Sequence, residues 1–222
     1  MIKLLALRFL VSFRNLIEGW KVVFRYYCDW RFLRIDLYLL RSYVYKSPYK
    51  IAKQFLQARG EVEIYTYGET PLTTMNLIVQ ECQITANDTI YELGCGRGRA
   101  CFWLHHFLKC KVIGIDYIPE FVEIAQKVKR KFNLKGITFK MEDILQANFE
   151  GASVIYFYGI CSETAFVLKL IDKLTKLPKH TKIITVSYPL TTFASEQLFE
   201  IVKIFPAQFT WGTADIYLHV KI

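Results

Sequence analysis

The chain has 222 residues, 53% of them hydrophobic and 22% charged, with a formal net charge of +9. That length and apolar content supply one domain of ordinary size with an appendage, and they exclude an intrinsically disordered chain. The charge is unevenly placed: residues 1–59 hold 12 Lys and Arg against the three acids Glu18, Asp29 and Asp36, so this first quarter carries the whole excess and residues 60–222 are neutral. The sequence therefore divides into a basic segment over 1–59 and a domain over 60–222.

In chain order, the opening MIKLLALRFLVSF is interrupted by Arg8 and is followed by no small-residue cleavage site, so it does not read as a signal peptide. No stretch approaches the roughly 18 uncharged apolar residues of a spanning helix. The expectation is a cytoplasmic protein, peripheral to a membrane at most. Arg14, Glu18, Lys21, Arg25 and Asp29 fall on one helical stripe, with Phe13, Leu16, Ile17, Trp20, Phe24 and Tyr27 on the other side, which predicts an amphipathic helix over 13–29. A second helical stretch, Trp30–Tyr45, mixes three arginines with leucines and a tyrosine. Ser47 and Pro48 read as an N-cap and first helical position, and Gly60 as the stop of a third helix over 48–59. Such a segment has three readings: a helical layer packed on the domain, a surface for anionic lipid, or a nucleic-acid contact.

From residue 61 strands and helices alternate. Strands are predicted at Thr89–Leu93, Lys111–Ile115, Ile137–Met141, Ser153–Tyr158 and Lys182–Tyr188, with helices near 98–108, 119–133 and 163–177. The tail reads as two strands, Phe199–Phe205 and Phe209–Ile222, joined at Pro206-Ala207-Gln208. This alternation implies an α/β fold with a mostly parallel sheet, right-handed crossovers and a C-terminal antiparallel hairpin. The six cysteines (Cys28, Cys82, Cys95, Cys101, Cys110, Cys161) are scattered without C-x-x-C or histidines at ligand spacing, so reduced thiols are expected and no metal site. His105, His106, His180 and His219 read as structural or surface residues.

The informative segment is Tyr91-Glu92-Leu93-Gly94-Cys95-Gly96-Arg97-Gly98-Arg99, between a strand and a helix. Three glycines let the backbone turn tightly and approach a ligand. The spacing is G-x-G-x-G, whereas a dinucleotide fingerprint would place its third glycine at Arg99. Glu92 suits an ammonium group better than a pyrophosphate. The next strand ends at Asp116, where a carboxylate meets a ribose in a doubly wound sheet. After the third strand, Glu142-Asp143-Ile144 offers a carboxylate for an adenine amino group and an apolar cover for its ring.

These residues resemble the class I methyltransferases that use S-adenosylmethionine, over about residues 65–222. The resemblance implies a doubly wound, seven-stranded Rossmann-like sheet. It implies a cofactor site made of Glu92, Gly94, Cys95, Gly96, Gly98, Asp116, Tyr117, Glu142, Asp143 and Ile144. Upstream, Tyr67-Gly68-Glu69-Thr70 is similar to the segment that closes over the methionine end of the cofactor in non-SET histone-lysine methyltransferases of the disruptor-of-telomeric-silencing type. That likeness adds Tyr67, Glu69 and Thr70 to the cofactor site. Small lysine methyltransferases of an ATP-synthase subunit likewise carry a hydrophobic, membrane-associated amino terminus. The chain departs from the histone-type enzymes at the end of the fourth strand, where Tyr156-Phe157-Tyr158-Gly159 stands in place of asparagines.

Methyl transfer needs an aligned nucleophile and exclusion of water more than a base or a metal. A lysine acceptor must first lose its proton, which an aromatic-lined, poorly solvated pocket promotes. Tyr156, Tyr158 and Tyr188, at the ends of the fourth and fifth strands, are the catalytic candidates for such a lining. There is no Asn/Asp-Pro-Pro-aromatic sequence, which argues against adenine N6 or glutamine amides, and no Pro-Cys pair, which argues against cytosine C5 chemistry. Cys161 reads as a structural thiol. A protein lysine is the expected acceptor, with RNA, a small molecule, or a non-catalytic scaffold at a membrane as the competing readings.

Overall fold

The computed structural model describes residues 2–61, 63–64, 66–159, 164–194 and 197–222. Seven strands form one sheet in the order β3-β2-β1-β4-β5-β7-β6. The parallel strands are β1 (Thr89–Leu93), β2 (Lys111–Asp116), β3 (Ile137–Met141), β4 (Val154–Phe157) and β5 (Lys182–Val186). The antiparallel pair is β6 (Phe199–Gln208) and β7 (Thr213–Lys221), and β7 inserts beside β5. The chain order reverses between β1 and β4, so the carboxyl ends of these strands open at a topological switch point, where ligands bind in sheets of this kind.

Buried residues fall into two clusters. On one face of the sheet, α4 (Leu72–Glu81), α5 (Arg99–Trp103) and α6 (Pro119–Lys131) pack over Ile90, Val112, Phe139, Tyr156 and Ile184. On the other, α7 (Thr164–Leu174) buries Val167, Leu170 and Ile171 against Leu93, Ile113 and Ile155. Period-two alternation along each buried strand divides the side chains between the clusters.

The amino-terminal quarter joins the first cluster. Helix α1 (Ile2–Tyr26) is followed by α2 (Trp30–Arg41) and α3 (Pro48–Ala58). Val22, Tyr26, Phe32, Ile35, Leu39, Tyr43 and Ile51 are all buried in the same core as the sheet. Asp29 caps α2 by accepting the N–H groups of Arg31 and Phe32. Ser47 caps α3, with Pro48 in its first turn. Glu18 accepts the backbone N–H of Thr73 at 3.1 Å and its hydroxyl at 2.6 Å, so α1 satisfies the open amino end of α4. Asp36, almost fully buried, accepts from Nε and Nη2 of Arg99 (2.8 and 2.6 Å) and from the Tyr27 hydroxyl.

Several boundaries differ from the sequence expectation. The hairpin turn lies at 209–212, and Pro206-Ala207-Gln208 belongs to β6, paired with Thr213, Ala214 and Asp215. A proline is tolerated there because β6 is an edge strand. The helix after the glycine loop changes to a π-turn at Leu104–Leu108. Helix α1 extends through the opening stretch and ends at Tyr26. Tyr158 and Tyr188 lie just beyond β4 and β5. Cys161 falls outside the described residues, and the other five cysteines are free.

Candidate active site

The glycine loop follows β1 directly. Its residue Gly96 has φ +54°, and a Cβ there would stand 2.9 Å from the Tyr67 ring, so only glycine fits under that ring. A Cβ on Gly94 would meet nothing within 4 Å, which leaves the start of the loop an open notch. Asp116, at the end of β2, accepts the Gly96 N–H at 2.7 Å and the Ile118 N–H at 2.9 Å. Its carboxylate thus holds the loop and retains acceptor capacity on both oxygens.

Glu92 and Asp116 are both buried, and among the described residues neither has a cationic partner within 4.0 Å. Burial pushes the Glu92 carboxyl up to about 7, against the pull of the Cys101 thiol that donates to it at 2.9 Å. Burial likewise raises Asp116 to about 6, against the backbone N–H groups it accepts. Two buried carboxyls without countercharge, beside a bare turn, fit a ligand that brings positive charge and hydroxyl donors.

The segment 67–70 lies across this loop. The Tyr67 hydroxyl donates to Glu69 at 2.5 Å, and the other Glu69 oxygen takes Arg97 at 2.6 Å. Glu69 is therefore neutralised from within the chain. Thr70 and Tyr156 share a hydrogen bond of 2.5 Å between their hydroxyls. Tyr156 stands next to Glu92 across the parallel pair β1–β4, on the same face of the sheet. Gly68 is pressed against Tyr158, whose hydroxyl accepts the Trp211 indole N–H at 2.6 Å. Between these groups lies a cavity of about 20 Å³, lined by Glu69, Thr70, Glu92, Gly94, Tyr156 and Tyr158 among others. That is room for about one water molecule. Admitting an adenosyl group therefore requires residues 67–70 to lift from Gly96.

The structure thus brings together Tyr67, Glu69, Thr70, Glu92, Gly94, Cys95, Gly96, Gly98, Asp116, Tyr156 and Tyr158. The segment Glu142-Asp143-Ile144 is adjacent, because the Glu142 N–H donates to the Asp116 carbonyl at 3.2 Å. Asp143 caps a turn through the Leu145 N–H, and Ile144 is buried in the second cluster. Tyr117 is half-exposed and packs on Phe55 of α3, with Arg59 over its ring. Tyr188 is set apart: it donates to the Gly159 carbonyl at 2.7 Å and packs on Phe193. Sequence reasoning missed Arg97 and Arg99. Arg97 lines the cavity and holds Glu69, while Arg99 ties the loop to α2. Their signal was two charged residues set among the glycines of a buried turn.

This sheet order and this loop define the class I methyltransferases, whose cofactor is S-adenosylmethionine. Residues 84–211 match the methyltransferase domain family, and the chain belongs to it. It is 26% identical over 188 residues to an H3 lysine-79-specific histone-lysine N-methyltransferase of Dictyostelium discoideum. It is 24% identical over 99 residues to the human EEF1A lysine methyltransferase 2. These matches cover 77% and 45% of this chain. They span about a tenth of the first relative and two fifths of the second (10% and 42%). Among solved structures, an RNA methyltransferase of Salinibacter ruber with S-adenosylhomocysteine aligns with a TM-score of 0.57 at 18% identity, over 69% of this chain and 93% of that one. The magnesium protoporphyrin IX methyltransferase of Synechocystis with bound S-adenosylmethionine aligns at 0.58 and 16% identity, over 79% and 98% of the two chains. At these identities the structures establish the fold.

Proposed function

We propose that the protein transfers a methyl group from S-adenosylmethionine to the side-chain amine of a protein lysine. The observation that carries the methyltransferase reading is the pair of buried carboxyls, Glu92 and Asp116, set at the two ends of the glycine notch with no cation within 4.0 Å among the described residues. Bound there, S-adenosylmethionine supplies a methyl group on a sulfonium. Glu92 would face its ammonium group and Asp116 its ribose hydroxyls, while Glu142 and Asp143 stand at the adenine end. Tyr67 and Thr70 would close the methionine end and exclude water, after 67–70 has opened to admit the cofactor.

Tyr156 and Tyr158 favour a lysine acceptor. They line the cavity at the end of β4 with aromatic rims, beside the Glu69–Arg97 pair and with Glu92 and Arg99 on its other walls. Aromatic rims orient the cationic form of an amine before the proton leaves, and burial between them favours its neutral form. Burial holds the Tyr156 phenol well above its usual pKa, so it stays a neutral hydrogen-bonding group. The names of the two curated relatives agree with a lysine acceptor. Labelled S-adenosylmethionine incubated with a protein extract tests the reading, with protease or nuclease added in parallel. Label removed by protease and retained after nuclease is expected. Label that survives protease and vanishes with nuclease rejects the lysine acceptor in favour of RNA.

The same proposal seats the protein on anionic lipid through α1. No described helix is long and apolar enough to cross a membrane. Yet Phe9, Leu10, Phe13, Leu16, Ile17, Trp20, Val23 and Phe24 are all exposed on α1, with Lys21 and Arg25 at their margin. Glu18, the one acid of this helix, is turned inward onto Thr73. An apolar stripe flanked by cations is the pattern of a helix lying in a membrane interface. Flotation of the full chain with anionic but not neutral vesicles, lost in Trp20→Glu/Phe24→Glu, is the expected result. Equal binding to both vesicles defeats it.

A further inference from the structure

Five cationic or titratable side chains converge at the opposite end of the sheet from the cofactor loop. Arg31 and Arg34 of α2, His105 and His106 of the π-turn, and Lys109 line a cavity of about 260 Å³, closed on one side by Phe132. Lys109 precedes the amino end of β2, whereas Asp116 stands at its carboxyl end. A strand of this length, at about 3.3 Å per residue, separates the two places by roughly 20 Å. None of the residues lining this cavity lines the cofactor cavity.

The charges here are left unbalanced. Arg97 and Arg99 are each paired with a carboxylate, Glu69 and Asp36. Among the described residues, Arg31, Arg34 and Lys109 have no carboxylate within 4.0 Å. Among the described residues no acid lines the cavity. The nearest one in contact with it, Asp29, is committed: one oxygen caps α2 and the other takes His106 at 2.9 Å. Arg34 is held rather than free, with its guanidinium 5.0 Å from the Trp30 ring centre and 5.9 Å from that of Phe132. Lys109 sits at φ +60°, a backbone posture uncommon for a side chain of this size. Burial holds His105 below its ordinary pKa, and the neighbouring Lys109, His106 and Lys129 push the same way.

Like charges held around one cavity repel unless an anion joins them, and guanidinium groups match the oxygens of phosphate in pairs. We propose that this cavity is a second ligand site, which binds a phosphate group carried by a small molecule or by a lipid headgroup. It is separate from the cofactor site and does not depend on the methyltransferase reading. The cavity volume suits a phosphate with a small organic substituent. A dianionic phosphate balances the arginines better than a monovalent anion such as chloride.

The test uses the full chain and inorganic phosphate, followed by phosphorus NMR and calorimetry at constant ionic strength. Saturable one-to-one binding is expected, and chloride should not compete. Arg31→Gln and Lys109→Asn, both at exposed positions, should each weaken it about tenfold without changing the melting temperature or the affinity for S-adenosylhomocysteine. Lys50→Gln, on α3, should leave it unchanged. Vesicles carrying phosphatidate identify the source. Displacement of bound phosphate by these vesicles assigns the site to a headgroup, and retention of phosphate assigns it to a soluble ester. Absence of saturable binding, equal competition by chloride, or full affinity in both cavity variants overturns the proposal.

Discussion

Glu92→Gln separates the cost of the buried carboxyl from its use. In the unfolded chain this group ionises near its ordinary 4.5, whereas in the fold burial holds its proton up to about 7. Between those values the folded state binds more protons than the unfolded state. Stability without cofactor therefore falls as pH rises through this window and levels off above it. The difference corresponds to about 3 kcal/mol at pH 8. Glutamine keeps the shape and an oxygen to accept the Cys101 thiol but cannot ionise. The variant should melt close to wild type at pH 4.5, and roughly 6–12 °C higher at pH 8 for a chain of this size. Asp116, raised to about 6, leaves a smaller residual slope in both proteins. The assay is thermal melting from pH 4.5 to 8, with and without S-adenosylhomocysteine. With the ligand, wild type should gain stability at pH 8 and the variant little. Parallel curves for the two proteins, or a variant that melts below wild type at pH 8, would refute the argument that Glu92 is a buried charge awaiting a cation.

Asp116→Ala removes the acceptor for Gly96 and Ile118 as well as the proposed ribose partner, and should weaken S-adenosylhomocysteine by about 1–3 kcal/mol in calorimetry. Unchanged affinity takes Asp116 out of the site. Gly96→Arg places a side chain where the Tyr67 ring already lies 2.9 Å from a Cβ, and should abolish binding while circular dichroism shows a folded chain. Retained binding means that the ligand does not use this turn. Asp36→Asn leaves the Arg99 guanidinium beside a neutral amide in a site where Asp36 is 2% exposed. Breaking one side of such a pair costs about 3–5 kcal/mol, a fall in melting temperature of roughly 6–20 °C. A shift of a degree or less shows that α2 is only loosely attached to the domain.

Much of the candidate site is a matter of local chemistry. Glycine spacing after a strand follows from a backbone need, and an acid at the end of the next strand and an acidic pair after the third are positions that a linear sequence displays. The strands of the parallel sheet were readable for the same reason, because buried strands are short apolar runs. Other features depend on which groups meet across the fold. Nothing in the spacing reveals that Glu69 is occupied by Arg97, because those residues are far apart in the chain. Nor does it reveal that Tyr188 turns to Gly159 while Tyr156 and Tyr158 face the cavity.

The amino-terminal quarter shows the same division. By itself the sequence determined that residues 1–59 are helical, basic and rich in aromatics, since periodicity and capping are local properties. Only the tertiary structure decided which of those residues are spent on the fold. Val22, Tyr26, Phe32 and Leu39 enter the core of the sheet, Asp36 and Glu18 bind groups of the domain, and the apolar stripe of α1 faces outward. A helical pattern records that a helix has two faces. Which face meets protein is fixed by the surface it packs against, and that surface is assembled from residues distant in sequence.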